Sequence, residues 1–574
     1  MGRGAALLGG LVMAWALGAA TGAGAQTGTG AQGATPAGTY LAARAAEAAK
    51  DLPAVADLYA RALGQDPANA RFLQSALLAD FALGRLPEAR ALADRLVAAG
   101  EPSAVAALAR AVTAAQADDW RAILRDLEAG RRVGPIADGL ARGWAWMGEG
   151  ETGKALAAFD ELASTPSLKP FALYHKGLAL ALLGDLDGAR AAFALADSEG
   201  VQRTRRAVLA EAEVLGALGR RDEALRLIDE VAGKSPDALL AALRVRLQGD
   251  APVAFDLIAS PAEGLAEAYL NLAAVVAGDD PTNGVILARA ALALDPDEAD
   301  AALLAGQLLA DLGQPDLARE AFASVPSDDP DALAAELGRA SVLRSQGEDE
   351  AALEVLSRLA QDHPDLPEVQ ATLGDLLRGM DRPQDAEAAY GRAIDLSPAD
   401  AGNLWYLHFT RALARQAQDD WPDAEADLRR SLQLRPDQPQ ALNHLGYTLV
   451  DRGEKLDEAL DLIRKAVALR PDDGAIVDSL GWAYYRLARY PEAVEQLEKA
   501  ATLVATDPVV NDHLGDAYWR VGREREARFQ WSRALSFDPE PDEAETLHRK
   551  LAKGLDAADP PKETAALPPE STGG

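Results

Sequence analysis

No cysteine occurs among the 574 residues of the chain. That excludes a disulfide framework, a thiolate metal site, a cysteine nucleophile and a lipid-modified N-terminal cysteine, so packing alone must hold the fold. Aromatic residues make up only 5% of the chain. Basic residues are in deficit, with 57 Lys and Arg against 89 Asp and Glu and a formal net charge of -32. Such a field repels a phosphate backbone, which excludes nucleic acid as a partner, and it keeps a long, exposed molecule in solution. Beyond the N-terminus no apolar run is long enough to cross a bilayer. The six histidines (His175, His363, His408, His444, His513 and His548) are scattered, with no pair at i, i+4 and no glutamate in a zinc-protease arrangement. Neither a metal site nor a bound cofactor is expected, and the histidines are read as packed or surface residues.

Two phosphate-loop look-alikes carry no chemistry. GTGAQG (28–33) spells a dinucleotide fingerprint but follows no strand. GEGETGKA (148–155) lacks the Ser or Thr hydroxyl that a magnesium-bound phosphate needs and is the turn of a repeat. Acidic runs such as DPDEAD (295–300) lack calcium-loop spacing and are solvated turns. No constellation argues for catalysis, so the chain is read as a non-enzyme.

What is present is helical composition, 49% hydrophobic and rich in Ala, Leu, Asp, Glu and Arg. The opening MGRGAALLGGLVMAWALGAATGAGAQ has Arg3, an apolar stretch from Ala5 to Ala20, and small residues at Ala23 and Ala25. It reads as a secretory signal cleaved after Ala25, with an uncleaved anchor as the alternative. The mature chain is then exported, periplasmic or peripherally associated with the envelope.

A repeat dominates the rest. An alanine followed four positions later by an aromatic or aliphatic residue recurs at Ala89, Ala155, Ala189, Ala224, Ala318, Ala352, Ala386, Ala424, Ala459, Ala493 and Ala527, most neighbours lying 34 or 35 residues apart. Weaker copies sit around Val55, Ile123, Ala254 and Gly284, for about fifteen units in all. A glycine stands twelve positions before the alanine in the clearest copies, as at Gly143, Gly306, Gly374, Gly481 and Gly515, and a proline often closes the unit twelve positions after it. Each unit therefore reads as helix, tight turn, helix and Pro-marked turn. Two helices approach closely only where side chains are small, so Gly374 with Ala386, Gly446 with Ala459, Gly481 with Ala493, and Gly515 with Ala527 are packing positions; Ala500 and Ala534 do the same against the following unit. Because every unit buries its apolar face on its neighbours, the fold class is all-α, a solenoid of antiparallel helix pairs with a long concave surface.

The pattern Leu-Gly, an aromatic or Leu three residues on, Ala twelve after the Gly, an aromatic four later, Ala three later, then Pro is carried by Leu373, Gly374, Leu377, Ala386, Tyr390, Ala393 and Pro398, and again by Leu514, Gly515, Tyr518, Ala527, Trp531, Ala534 and Pro539. This resembles the tetratricopeptide repeat family over about residues 37 to 540. The fit is loose at 97–132 and 248–284, and one extra residue sits in GEKLDEA (453–459). The resemblance implies a right-handed superhelix whose first helices line the groove. Positions three before, one, four and five after the first-helix Gly are then groove-lining: Asn443, Tyr447, Val450 and Asp451; Asp478, Trp482, Tyr485 and Arg486; Asp512, Asp516, Trp519 and Arg520. Tyr484 turns inward. Aromatics flanked by Arg and Asp suit a peptide-binding strip. The alternative, that the rings pack on adjacent first helices and stiffen the array, stays open. Asp478 and Asp512 stand where a carboxylate clamp would place basic or amide groups, which disfavours capture of an acidic C-terminus.

Residues 442–500 resemble a group of proteobacterial envelope repeat proteins, one branch of which is a lipid-anchored adaptor for a periplasmic processing peptidase. The implied partners are protein or peptide segments, with an envelope protease or cell-envelope complex among them; the missing cysteine removes that branch's anchor. The rival function is an architectural envelope protein that self-associates without a specific peptide ligand. The expected organisation is signal 1–25, flexible segment 26–36, repeat arrays 37–250, 251–399 and 400–541, capping helix 542–555, and a disordered Pro-rich tail 556–574.

Overall fold

The computed structural model describes residues 35–198, 204–232 and 237–555. The expected signal, most of the segment 26–36 and the Pro-rich tail lie outside the described residues. The described residues form thirty α-helices and no strand.

The chain divides into two compact units, one ending at Leu359 and the other beginning at Ala360. In chain order the first holds Pro36–Ala48 (α1), Leu52–Leu63 (α2), Ala70–Ala82 (α3), Leu86–Ala98 (α4), Ala104–Gln116 (α5), Trp120–Glu128 (α6), Pro135–Gly148 (α7), Thr152–Ala163 (α8), Lys169–Leu182 (α9), Leu186–Ser198 (α10), Arg205–Ala217 (α11), Arg221–Ala232 (α12), Ala238–Gln248 (α13), Pro261–Val276 (α14), Pro281–Leu294 (α15), Ala299–Asp311 (α16), Pro315–Ala323 (α17) and Ala332–Ser345 (α18), with Asp349–Asp362 (α19) running through the boundary. The second holds Pro367–Gly379 (α20), Pro383–Leu396 (α21), Leu404–Gln416 (α22), Trp421–Leu434 (α23), Pro439–Arg452 (α24), Leu456–Leu469 (α25), Gly474–Arg486 (α26), Tyr490–Leu503 (α27), Pro508–Arg520 (α28), Glu524–Leu535 (α29) and Pro541–Lys553 (α30).

Local chemistry sets these boundaries. Many helices open on a side chain that caps the third backbone N–H, as Asp51, Asn69, Asp473 and Asp507 do, often with Pro in the first turn. Within a pair the first helix ends on a left-handed residue, commonly Gly (Gly84, Gly150, Gly184, Gly313). The amide of the residue just before the next helix then closes on the old one, as Arg85 N–H does on the Asp80 carbonyl at 2.8 Å. Asp381, Asp419 and Ala488 occupy the same position with positive φ. Ala488, at φ 58°, has no side-chain oxygen to ease that conformation.

The packing glycines touch what the repeat says they should. A Cβ on Gly374 would lie 2.7 Å from the Tyr390 ring, one on Gly306 2.7 Å from Phe322, one on Gly446 2.6 Å from Ile463, and one on Gly481 2.5 Å from Leu497. Beside them Ala386, Ala459, Ala493, Ala500, Ala527 and Ala534 are fully buried.

The unit expected around Ala254 departs from this plan. Residues 249–260 are not helical, so α13 lacks its mate. Pro252 interrupts the stretch, and its freed amides find a side chain instead: Asp256 and Leu257 N–H donate to Glu213 Oε2 at 3.1 and 3.0 Å, while Val253 and Ile258 bury their side chains.

Part of the first-helix face of the first unit is covered by the chain itself. Helices α14 and α15 cross back onto earlier first helices, α14 against α7 and α9, and α15 against α3 and α5. Gly264 lets α14 lie directly on the Trp144 ring. Tyr174 Oη donates to Glu267 at 2.8 Å, and Gln116 Nε2 donates to the Ala293 carbonyl at 2.7 Å. Of the helices in this closure, α5 lies in the loosely fitting stretch 97–132 and α14 in 248–284.

Two outcomes follow. Ala488→Gly removes left-handed strain and raises stability by about 1 kcal/mol in urea unfolding. Gly264→Leu, which drives a side chain into Trp144, destabilises by about 1–3 kcal/mol. It also speeds hydrogen exchange in α14 and α15.

Candidate functional site: the first-helix face of the second unit

In the second unit α24 touches α26 and α26 touches α28, first helix on first helix, while the second helices α25, α27 and α29 lack such contacts with one another. First helices are therefore the closer-spaced layer, and their face is the inner one. All twelve groove-lining residues named from the sequence lie on α24, α26 and α28, but Val450 is fully buried and packs in the core instead.

The structure brings most of them together as a ladder. Asp451, just past Tyr447 on α24, accepts from Arg486 Nη1 at 3.1 Å. Trp482 stacks on Tyr485 with centroids 4.7 Å apart and planes 7° apart, and on His513 of α28 at 4.0 Å and 14°. Asp478 takes the other edge of His513, with Nδ1 2.9 Å from Oδ2. Tyr485 Oη accepts from Arg520 Nε at 3.2 Å. Trp519 leans on Trp531 at 5.4 Å and is approached closely by Gly554.

At the far end Lys550 of α30, 4% exposed, places its ammonium 2.8 Å from both Asp512 and Asp516. Trp531 Nε1 donates to Asp516 at 2.9 Å. Upstream, His444 contacts Gln416 of α22 at 2.7 Å and meets Phe409 edge-on.

The charge states follow from burial. Burial disfavours a charged His513, but the Asp478 carboxylate beside it outweighs that and holds its pKa above the ordinary value. Burial raises Asp516, Asp512 adds like charge, and Lys550 opposes both. Burial raises Tyr447 as well, with help from Asp478 and Asp451. His444 has no carboxylate neighbour and is lowered by burial. The acidic groups of the face are thus already engaged by basic ones: Asp451 by Arg486, Asp478 by His513, and Asp512 and Asp516 by Lys550.

Two positions stand outside the ladder. Asn443 Oδ1 is buried and accepts no hydrogen bond from the described residues. Tyr447 is half-buried between the acidic groups of Asp451 and Asp478, and no ring stacks on it. The place on α26 that matches His444 and His513, two residues before Gly481, holds Ser479, which bonds its own helix at Ala475. Sequence reasoning did not assign His444, His513 and Lys550 to this face. His444 and His513 each stand two residues before a first-helix Gly, a periodicity that could have found them.

Removing Lys550 tests the electrostatics. Lys550→Met leaves two carboxylates facing each other and destabilises by about 3–5 kcal/mol at pH 8. Asp516 has a raised pKa, so it takes up a proton as pH falls and the loss shrinks toward pH 5.5. Urea unfolding at the two pH values measures the difference.

A family model described as tetratricopeptide repeat matches residues 140–200, 272–332, 303–367, 409–474 and 452–508. A second of the same description matches 367–400, and together they take in about half of the chain. The TPR repeat-containing protein PA4667 of Pseudomonas aeruginosa is 41% identical over 112 residues, 20% of this chain and 18% of that protein. Protein O-mannosyl-transferase Tmtc1 of Drosophila melanogaster is 34% identical over 102 residues, 17% of this chain and 12% of that protein. The chain spans less than a fifth of the length of either relative. Among solved structures, the Cut9–Hcn1 hetero-tetramer of APC/C is similar over 90% of this chain and 96% of that one, at 14% identity and a TM-score of 0.39. YrrB, a TPR protein with an unusual peptide-binding site, is similar over 34% of this chain and 98% of that one, at 17% identity and a TM-score of 0.28. The repeat models, the glycine contacts and the paired helices agree: this chain belongs to the tetratricopeptide repeat family.

Proposed function

We propose that this protein is a non-enzymatic scaffold or adaptor of the bacterial envelope that binds protein segments along the first-helix face of its second unit. The observation that carries this reading is the pair Asn443 and Tyr447. They share one face of α24 with an unpaired amide oxygen and a half-buried phenol, beside a stacked Tyr485, Trp482 and His513 platform. An extended segment offers backbone N–H groups to such an acceptor and side chains to such rings. Asp451, Asp478, Arg486 and Arg520 flank the strip with both signs of charge, which fixes orientation more than it adds affinity. Export rests on the N-terminal signal pattern, and a role beside a processing protease rests on the resemblance of residues 442–500.

A second reading has its own support. Trp482, Tyr485 and Arg486 are engaged by neighbouring groups of the same face, which is what a stiffening, architectural role requires. In that case the protein associates with its own copies and needs no peptide.

Affinity purification from an envelope fraction, with partners identified by mass spectrometry, separates the two. Tyr447→Ala and Asn443→Ala lower recovery of the principal partner at least about tenfold while leaving the unfolding midpoint near wild type. Unchanged recovery contradicts the binding strip. Light scattering that shows a strict monomer at high concentration removes the architectural reading.

A further inference from the structure

In the first unit the closing helix α14 is held by a buried charge cluster as well as by apolar contacts. Arg206 of α11, 8% exposed, donates Nε to Glu267 Oε2 of α14 at 2.6 Å. The same guanidinium lies 2.8 Å from Glu298 and 3.1 Å from Asp300 at the start of α16. Glu267 also accepts from Tyr174 of α9 at 2.8 Å and from Asn271 at 2.9 Å. Arg206 and Glu267 together thus tie α9, α11, α14 and α16 to a single point.

The charges around that point do not balance. Arg205, next in the chain, lies 3.1 Å from Asp300 and 3.1 Å from Asp237 ahead of α13, and pairs with Asp331 ahead of α18. Two guanidinium groups therefore serve five carboxylates. Asp295, on the turn before α16, adds a sixth acidic group that faces Glu298. A partly buried cluster with this excess of negative charge relieves itself by keeping a proton.

We propose that the Arg206 cluster is a pH-sensitive latch that holds α14 and α15 across α3, α5, α7 and α9, tight in mildly acidic solution and looser in alkaline solution. Its proton sits on Glu298. Burial pushes that carboxyl up to about 7 from an ordinary 4.5, Arg206 opposes the rise, and Glu267, Asp300 and Asp295 reinforce it. The sign is fixed by linkage: the closed form binds the proton more tightly than the open one. Its advantage is complete below the ordinary carboxylate pKa and is lost as pH rises through about 7. Loosening frees the faces of α5 and α7 that the chain's own helices cover, including the Trp144 ring under Gly264.

Hydrogen exchange of the full chain at pH 6.0 and 8.5, corrected for intrinsic rates, reads the latch directly. The opening equilibrium of 261–276 rises about tenfold between the two, the factor that the two Glu298 pKa values give. Glu298→Gln, neutral at both pH values, abolishes the difference. Asp300→Asn removes one negative neighbour and shifts the response to lower pH, which keeps the test available if Glu298→Gln does not fold. Equal protection of α14 at both pH values, or a wild-type response that survives in Glu298→Gln, or an unshifted midpoint in Asp300→Asn, overturns the proposal.

Discussion

The structure depends on one recurring contact, a glycine on many of the first helices that has no Cβ where a large side chain of the second helix comes down. In Gly374 with Tyr390, Gly306 with Phe322, and Gly481 with Leu497, a single added carbon would sit inside van der Waals contact. Removing that carbon lets two helices close to a distance at which a fully buried alanine from the partner completes the seam. With no disulfide available, this geometry is what converts an Ala-rich helical chain into stacked pairs. The contact leaves the other face of each first helix unused, and the two units use it differently.

In the first unit the chain covers part of that face itself. The loop 249–260, stapled by Glu213, replaces a helix and lets α14 and α15 cross onto α7, α9, α3 and α5. The second unit stitches neighbouring first helices along their inner edge, rung by rung, through His444, His513 and Lys550. Each rung seats a cation or ring against an aspartate or a ring of the helix before it. Rigidity of the face and its availability to a partner are in competition here: Trp482 stacked on both sides presents little free surface, whereas Tyr447, one helix earlier, has no such partner.

Much of the fold was legible because the repeat states its own physics. Spacing of Gly and Ala placed the helix pairs, and the tight polar turns and closing prolines placed their ends. Even the inward turn of Tyr484, 9% exposed, followed from helical geometry. Failure came where contacts are not periodic. The copy around Ala254 was read from the spacing between Ala224 and Ala318, but Pro252 and a carboxylate from another helix decided that backbone. The closure of the first unit was invisible because Gly264 meets Trp144, a contact between residues more than a hundred apart in sequence. At the candidate site the helices that carry the lining positions were legible through the family resemblance. Their occupation by His513 and Lys550 was not, since it depends on which neighbour supplies the opposite charge.

The most direct measurement of the central contact is a double-mutant cycle between Gly481 and Leu497 by urea unfolding. If absent bulk at Gly481 is what admits Leu497, Gly481→Ala costs about 1–3 kcal/mol in the wild-type background and close to nothing when Leu497 is already Ala. An equal cost in both backgrounds would contradict the account, because the glycine would then be serving the backbone and not the neighbouring helix.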